Sequence, residues 1–250
     1  MSWFRWFISL TFTLIIPPLV FAEKPSTIVL EENFPPFSYV DDQGPNGYSH
    51  AVLHELSTRL HWQVPIQFSP WSRAERELLS NHHMLLASMM KTAARESRYL
   101  WVAKLYEQPV YIYRLKKRAD SLAVSTLNDL KPFVIGTQIG SASSQLLLSA
   151  GVPERNIDSV ASFQQNLHKA RIDRIDFFTM PPAVLRYLVG SKQLVESEFE
   201  QVITLIEPRS FYLVASLQFS PVLTEQIRST IYAMEREGTL MKLRQNYGID

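Results

Sequence analysis

Past residue 22, apolar positions fall into short β-branched runs separated by stretches with helical spacing. Residues 26–31 are apolar and β-branched, and the Pro-, Gly- and Asp-rich segment 33–47 breaks them, which predicts a strand followed by a loop. From Tyr48 to Leu60, the positions Val52, Leu56 and Leu60 recur every four residues, as one face of a helix requires. Residues 64–68 predict a strand, 71–79 a helix and 84–88 a buried strand. The alternation resumes with a strand at 110–115 running into Lys116-Lys117-Arg118. Strands at 133–136, 156–160 and 175–178 are spaced by helices at 140–150 and 163–170. Residues 181–188 predict a helix with proline in its first turn, where a missing N–H costs nothing. Strands at 202–206 and 211–216 precede two helices between 221 and 247, separated near Gly238.

Strands alternating with helices define an α/β protein with mostly parallel sheets. Two such series, before and after about residue 116, predict two lobes. There is no internal repeat and no low-complexity tract.

Residues 1–22 read differently. Arg5 supplies one positive charge, residues 6–22 carry none, and Val20-Phe21-Ala22 suits a signal-peptidase site. The uncharged run is interrupted by Pro17-Pro18 and falls short of the roughly 20 apolar residues a spanning helix wants, so a cleaved export signal is expected rather than an anchor. The mature chain then keeps 24 basic and 24 acidic residues. Such balance argues against a nucleic-acid binder, which needs a basic excess for phosphate contacts. The chain has no cysteine, which removes disulfides, thiolate metal sites, cysteine nucleophiles and a lipid-bearing cysteine together. No later segment is apolar enough to cross a bilayer, so a soluble periplasmic protein is expected.

Catalytic patterns are scarce. Ile139-Gly140-Ser141-Ala142-Ser143 has half of a nucleophile elbow and lacks its second glycine. Phosphate-loop and dinucleotide glycine patterns are absent. His50 and His54 share a predicted helix face and His82-His83 are adjacent, but zinc wants three or four converging ligands. No metal or cofactor is expected.

One ordered set of segments stands out: Asn33-Phe34-Pro35-Pro36-Phe37, Gly47-Tyr48, Pro70-Trp71-Ser72-Arg73-Ala74, Ser88-Met89-Met90-Lys91-Thr92-Ala93-Ala94-Arg95-Glu96, Gly140-Ser141, Arg171-Ile172-Asp173, and Glu237-Gly238-Thr239. In that order the chain resembles the bacterial periplasmic solute-binding proteins of family 3, the polar-amino-acid type, over residues 26–250. The resemblance implies a type 2 periplasmic-binding-protein clamshell, each lobe a mostly parallel sheet flanked by helices, with two hinge strands. Lobe one would take residues 23–112 and 216–250, and lobe two 113–215.

It also implies site residues. Arg95 would grip a ligand carboxylate, its fork of donors matching the planar group. Glu31 would meet a cationic group and Phe34 would stack on the ligand. Trp71 would wall the cleft and Arg73 would face the ligand. Ser88 follows a buried strand, and Ser141 would offer a helix N-terminus to an anion. Each also has a plain structural role: a solvated arginine beside Glu96, a strand-end acid, a core phenylalanine, a packing tryptophan, a capping serine.

Two departures from the resemblance bear on the ligand. Met90 stands where amino-acid binders place Ser or Thr, and Phe177-Phe178-Thr179-Met180-Pro181 lacks the acid that would hold an α-ammonium. The expected solute therefore bears a carboxylate on an apolar or aromatic body, which Met90, Phe178 and Met180 would accommodate beside Thr179. The expected function is capture of that solute by a monomer and delivery to an ABC permease or a sensor kinase ectodomain. With Asp250 directly after the last predicted helix, no sensor module within the chain is expected. An accessory protein whose cleft has lost its ligand and an enzymatic offshoot of the fold are the competing classes.

Overall fold

A computed structural model describes residues 23–191 and 196–249; the expected export signal at 1–22 lies outside the described residues. In chain order the elements are β1 (Thr27–Glu31), β2 (Asn33–Phe34), β3 (Ser38–Asp41), β4 (Gly44–Asn46), α1 (Tyr48–Arg59), β5 (Ile66–Ser69), α2 (Trp71–Ser80), β6 (Met84–Met90), the single turn α3 (Ala93–Glu96) and β7 (Leu100–Leu115). Then follow β8 (Ile135–Gln138), α4 (Ala142–Ser149), β9 (Ile157–Val160), α5 (Phe163–Arg171), β10 (Phe177–Met180), α6 (Pro182–Gly190), β11 (Phe199–Ala215), α7 (Pro221–Arg236) and α8 (Thr239–Asn246).

One eight-stranded sheet runs through the molecule in the order β5-β1-β6-β11-β7-β10-β8-β9. Its two ends are parallel triplets: β1 pairs with β5 and β6, and β8 pairs with β9 and β10. Between them β7 and β11 lie antiparallel to each other and to their outer neighbours β10 and β6. α2 packs directly on the first triplet and α4 and α5 on the second, while α1, α7 and α8 pack against one another. The two lobes are thus joined by two shared strands.

Burial on both faces explains the near-continuous apolar runs of the inner strands. Every residue of β1 and β6 is buried. Their side chains alternate: Ile28, Leu30, Leu85 and Ala87 join the main core beneath α1 and α7, whereas Val29, Met84 and Leu86 pack with Trp71, Ala74 and Leu78 of α2. In the second lobe Ile112, Ile135, Leu147 and Phe177 form a separate core.

Two expectations change. The breaker-rich segment 33–47 is not all loop, because β2, β3 and β4 fold it into a small antiparallel sheet. Gly47 makes the exit from it possible: it sits at φ +113, and a Cβ there would lie 2.5 Å from the Phe37 carbonyl oxygen. The strands expected at 110–115, 202–206 and 211–216 are parts of two much longer ones. The breaks seen in sequence are real but local. Ile206 pairs with Val110 and Arg209 with Gln108, so Glu207 and Pro208 of β11 stand opposite Pro109 of β7. A proline offers no N–H to a ladder, and here both crossing strands have one at the same level.

Candidate functional site

The carboxyl ends of parallel strands from both lobes meet at one crevice. Glu31 is the last residue of β1, Met90 of β6 and Gln138 of β8, and open α/β sheets bind ligands beyond such strand ends. The crevice encloses a cavity of about 60 Å³. Of the residues singled out from sequence, Arg95, Ser88, Glu31, Phe34, Trp71, Ser141, Met90 and Thr179 all line it. Arg73 does not. It is exposed, two residues beyond Trp71 on α2 and so turned by about 200° from it.

Phe178 and Met180 also stand elsewhere. Successive residues of β10 point to opposite faces, so Thr179 and then Pro181 reach the cavity while Phe178 stacks on Tyr113 at 5.6 Å in the core. The apolar part of the wall is instead Met90, Val110, Phe163 and Phe211 with Phe34 and Trp71. Phe34 of the first lobe stacks on Phe163 of the second at 5.8 Å between ring centroids.

Arg95 is neither solvated nor paired with Glu96, which instead binds Lys91 at 2.9 Å. The Arg95 side chain is 2% exposed. Its Nε and Nη2 donate to the two carboxylate oxygens of Glu75 at 3.1 and 3.4 Å, and Tyr99 donates its hydroxyl to the same carboxylate at 3.2 Å. Nη2 also crosses the crevice to the Gly140 carbonyl at 2.9 Å, which accepts from Trp71 Nε1 at 3.2 Å as well. Nη1 has no hydrogen-bond partner among the described residues. Gly140 presents that carbonyl from a left-handed backbone, φ +70.

Glu31 is 4% exposed and accepts a hydrogen bond from Gln138 Nε2 across the crevice. Burial pushes its carboxyl up to about 7; the Gln138 bond opposes that rise and the neighbouring Glu32 charge adds to it. Among the described residues it is the one acid in the cavity wall, as Arg95 is the one cation.

The serines are positioned by local backbone. β6 carries one extra residue against β11 between Leu86 and Met89, and Ser88 in that bulge has φ +67. Bulges re-aim side chains at sites; Ser88 Oγ lies 2.9 Å from Ser49 Oγ at the start of α1. Ser141 caps α4, its hydroxyl accepting from the Ser144 N–H at 3.2 Å while the residue also faces the cavity.

Sequence reasoning did not single out Gln138, Phe163, Phe211 or Glu75. Gln138 has a legible signal, since it ends a strand just before Gly140-Ser141. Glu75 has one too, four residues after Trp71 and hence on the same helix face.

Two lobes joined by two strands, closing on a cavity to which both contribute polar and aromatic side chains and the first its charged ones, define a clamshell receptor for a small solute. Sequence comparison matches residues 27–250 to the bacterial extracellular solute-binding proteins, family 3, and the chain belongs to that family. No curated protein matches it. Among solved structures, a histidine kinase sensor domain with similarity to periplasmic binding proteins is similar at TM-score 0.80 and 14% identity, over 90% of this chain and 96% of that one. An ancestral arginine-binding protein bound to glutamine is similar at TM-score 0.75 and 24% identity, over 88% and 96%. The arginine-, lysine-, histidine-binding protein ArtJ from Geobacillus stearothermophilus is similar at TM-score 0.77 and 13% identity, over 90% and 95%. At these identities the likeness is one of fold.

Proposed function

We propose that the mature chain is a periplasmic protein that captures a small carboxylate-bearing solute, an amino acid or a relative, by closure of its lobes. Lobe one comprises residues 23–112 and 216–250, lobe two 113–215. The shut form is what a membrane transporter or a sensor ectodomain recognises. The observation that carries this reading is the cavity wall itself, with one buried guanidinium, one buried carboxyl and aromatic faces contributed from both sides. Arg95 Nη1 is the donor left for the solute carboxylate, and Glu31 with Gln138 is the polar pair left for its other end. Structural neighbours that bind amino acids and one that is a kinase sensor domain support both kinds of partner. Within this reading the protein binds and releases its solute unchanged.

A thermal-shift screen over amino acids, organic acids and amines tests it, because a solute that binds only the folded form must raise the melting temperature. A flat response across the whole panel defeats solute capture and favours an accessory protein. The contacts from Glu31 to Gln138 and from Arg95 to Gly140 already tie the lobes together through the chain's own groups, which is the observation on that side.

A further inference from the structure

The edge of a guanidinium that carries Nε and Nη2 presents two parallel N–H donors, the fork that a planar carboxylate accepts side-on. In Arg95 that edge is already filled. Glu75, from the second turn of α2, spans it with both oxygens, and Tyr99 fixes one of those oxygens from the other side. The pair is sheltered, the Arg95 side chain 2% and the Glu75 side chain 16% exposed. The guanidinium carbon lies 5.0 Å from the Trp71 ring centroid, so the cation is held on one face as well. Held this way, Arg95 can offer an incoming group only Nη1.

Charge follows from geometry. A solute carboxylate docking on Nη1 approaches a cation whose charge an internal carboxylate has already balanced, and like charges sharing a sheltered site disfavour one another. Among the described residues the lining contributes no second cation to offset this, since Arg95 is the one basic residue there and Glu31 adds an acid.

We propose that Glu75 is a specificity-determining residue: by occupying the forked edge of Arg95 it selects, among carboxylate-bearing solutes, zwitterions over plain anions, engaged end-on through Nη1. The inference rests on the solute-capture reading and narrows its substrate class. A solute whose carboxylate is accompanied by its own cation brings no net charge into the site; a plain anion brings one, and a dianion two.

The test uses benzoate and benzamide, which share a shape and differ in charge, titrated calorimetrically into the wild type, Glu75→Gln and Glu75→Ala. Glu75→Gln keeps the size of the side chain and removes its charge, so it carries the test even where Glu75→Ala fails to fold. The expected result is benzoate binding at least about 10-fold tighter in Glu75→Gln than in wild type, with benzamide changed by less than about 2-fold. Appearance of benzoate binding where the wild type shows none counts as that gain. Benzoate affinity unchanged or weakened in the variant overturns the proposal, because a residue that only holds Arg95 in place would loosen both probes alike. Solute capture itself stands or falls separately, on the thermal-shift response of the wild type.

Discussion

The Arg95 guanidinium carbon stands 5.0 Å from the centroid of the Trp71 ring, and both side chains donate to the carbonyl of Gly140, at 2.9 and 3.2 Å. Arg95 and Trp71 belong to the first lobe and Gly140 to the second, so one acceptor gathers two donors across the crevice. The indole face supports the cation, and the carbonyl orients it. Removing either donor therefore tests a different part of the arrangement.

Arg95→Ala is expected to abolish the melting-temperature rise produced by any solute that stabilises the wild type. It leaves the Glu75 carboxylate without its ion-pair partner, which costs about 1–3 kcal/mol, yet unfolding stays cooperative. Calorimetry of the variant with the best solute from the screen checks this, and an unaltered dissociation constant sinks the assignment.

Trp71→Phe keeps an aromatic ring in the α2 core and deletes the Nε1 donor. The expected loss of stability is no more than about 1 kcal/mol, while solution scattering registers a larger radius of gyration as the lobes part more often. No change in scattering would mean that this donor does not help hold the crevice shut.

Glu31 makes stability depend on pH. Its carboxyl titrates at about 7 in the folded protein against 4.5 as the ordinary value. The folded form therefore binds the extra proton between these limits, so stability is greatest below pH 4.5 for this group and declines as pH rises to 7. The decline amounts to roughly 3 kcal/mol. Urea titrations at several pH values should show it, and Glu31→Gln should flatten the profile over that window. A wild-type profile rising from pH 5 to 7 by the same amount would contradict the burial argument.

Gly140→Ala places a side chain at φ +70, where its Cβ would meet Trp71 only at 3.7 Å. The cost is backbone strain rather than collision, about 1–2 kcal/mol, and it falls on the carbonyl that Arg95 and Trp71 share. The denaturation midpoint should drop accordingly, with solute affinity weakened in the same variant.

Much of this was legible along the chain. The two α/β series, the helix faces at Val52 and Leu56, and the proline-led helix after β10 all follow from periodicity and turn chemistry. The full reach of β7 and β11 did not, because Pro109 and Pro208 interrupt the strand pattern that tertiary pairing then restores on either side. Eight of the cavity residues were legible as types at strand ends and helix starts. Arg73 was misplaced for want of a helix phase, and Phe178 and Met180 for want of the pleat. The Glu75 partnership was illegible, since nothing local links α2 to the turn after β6. Only the folded distance between them shows which acid takes the forked edge of Arg95.

The paired prolines at 109 and 208 have one more consequence. With the ladder cut at that level, bending between the wings meets less backbone resistance there, and it leaves every parallel triplet intact. The resistance to swinging then resides in the rim, in a few contacts such as those of Gln138 and Gly140. Altering the rim retunes how often the mouth gapes, and the scaffold behind it is free to stay the same.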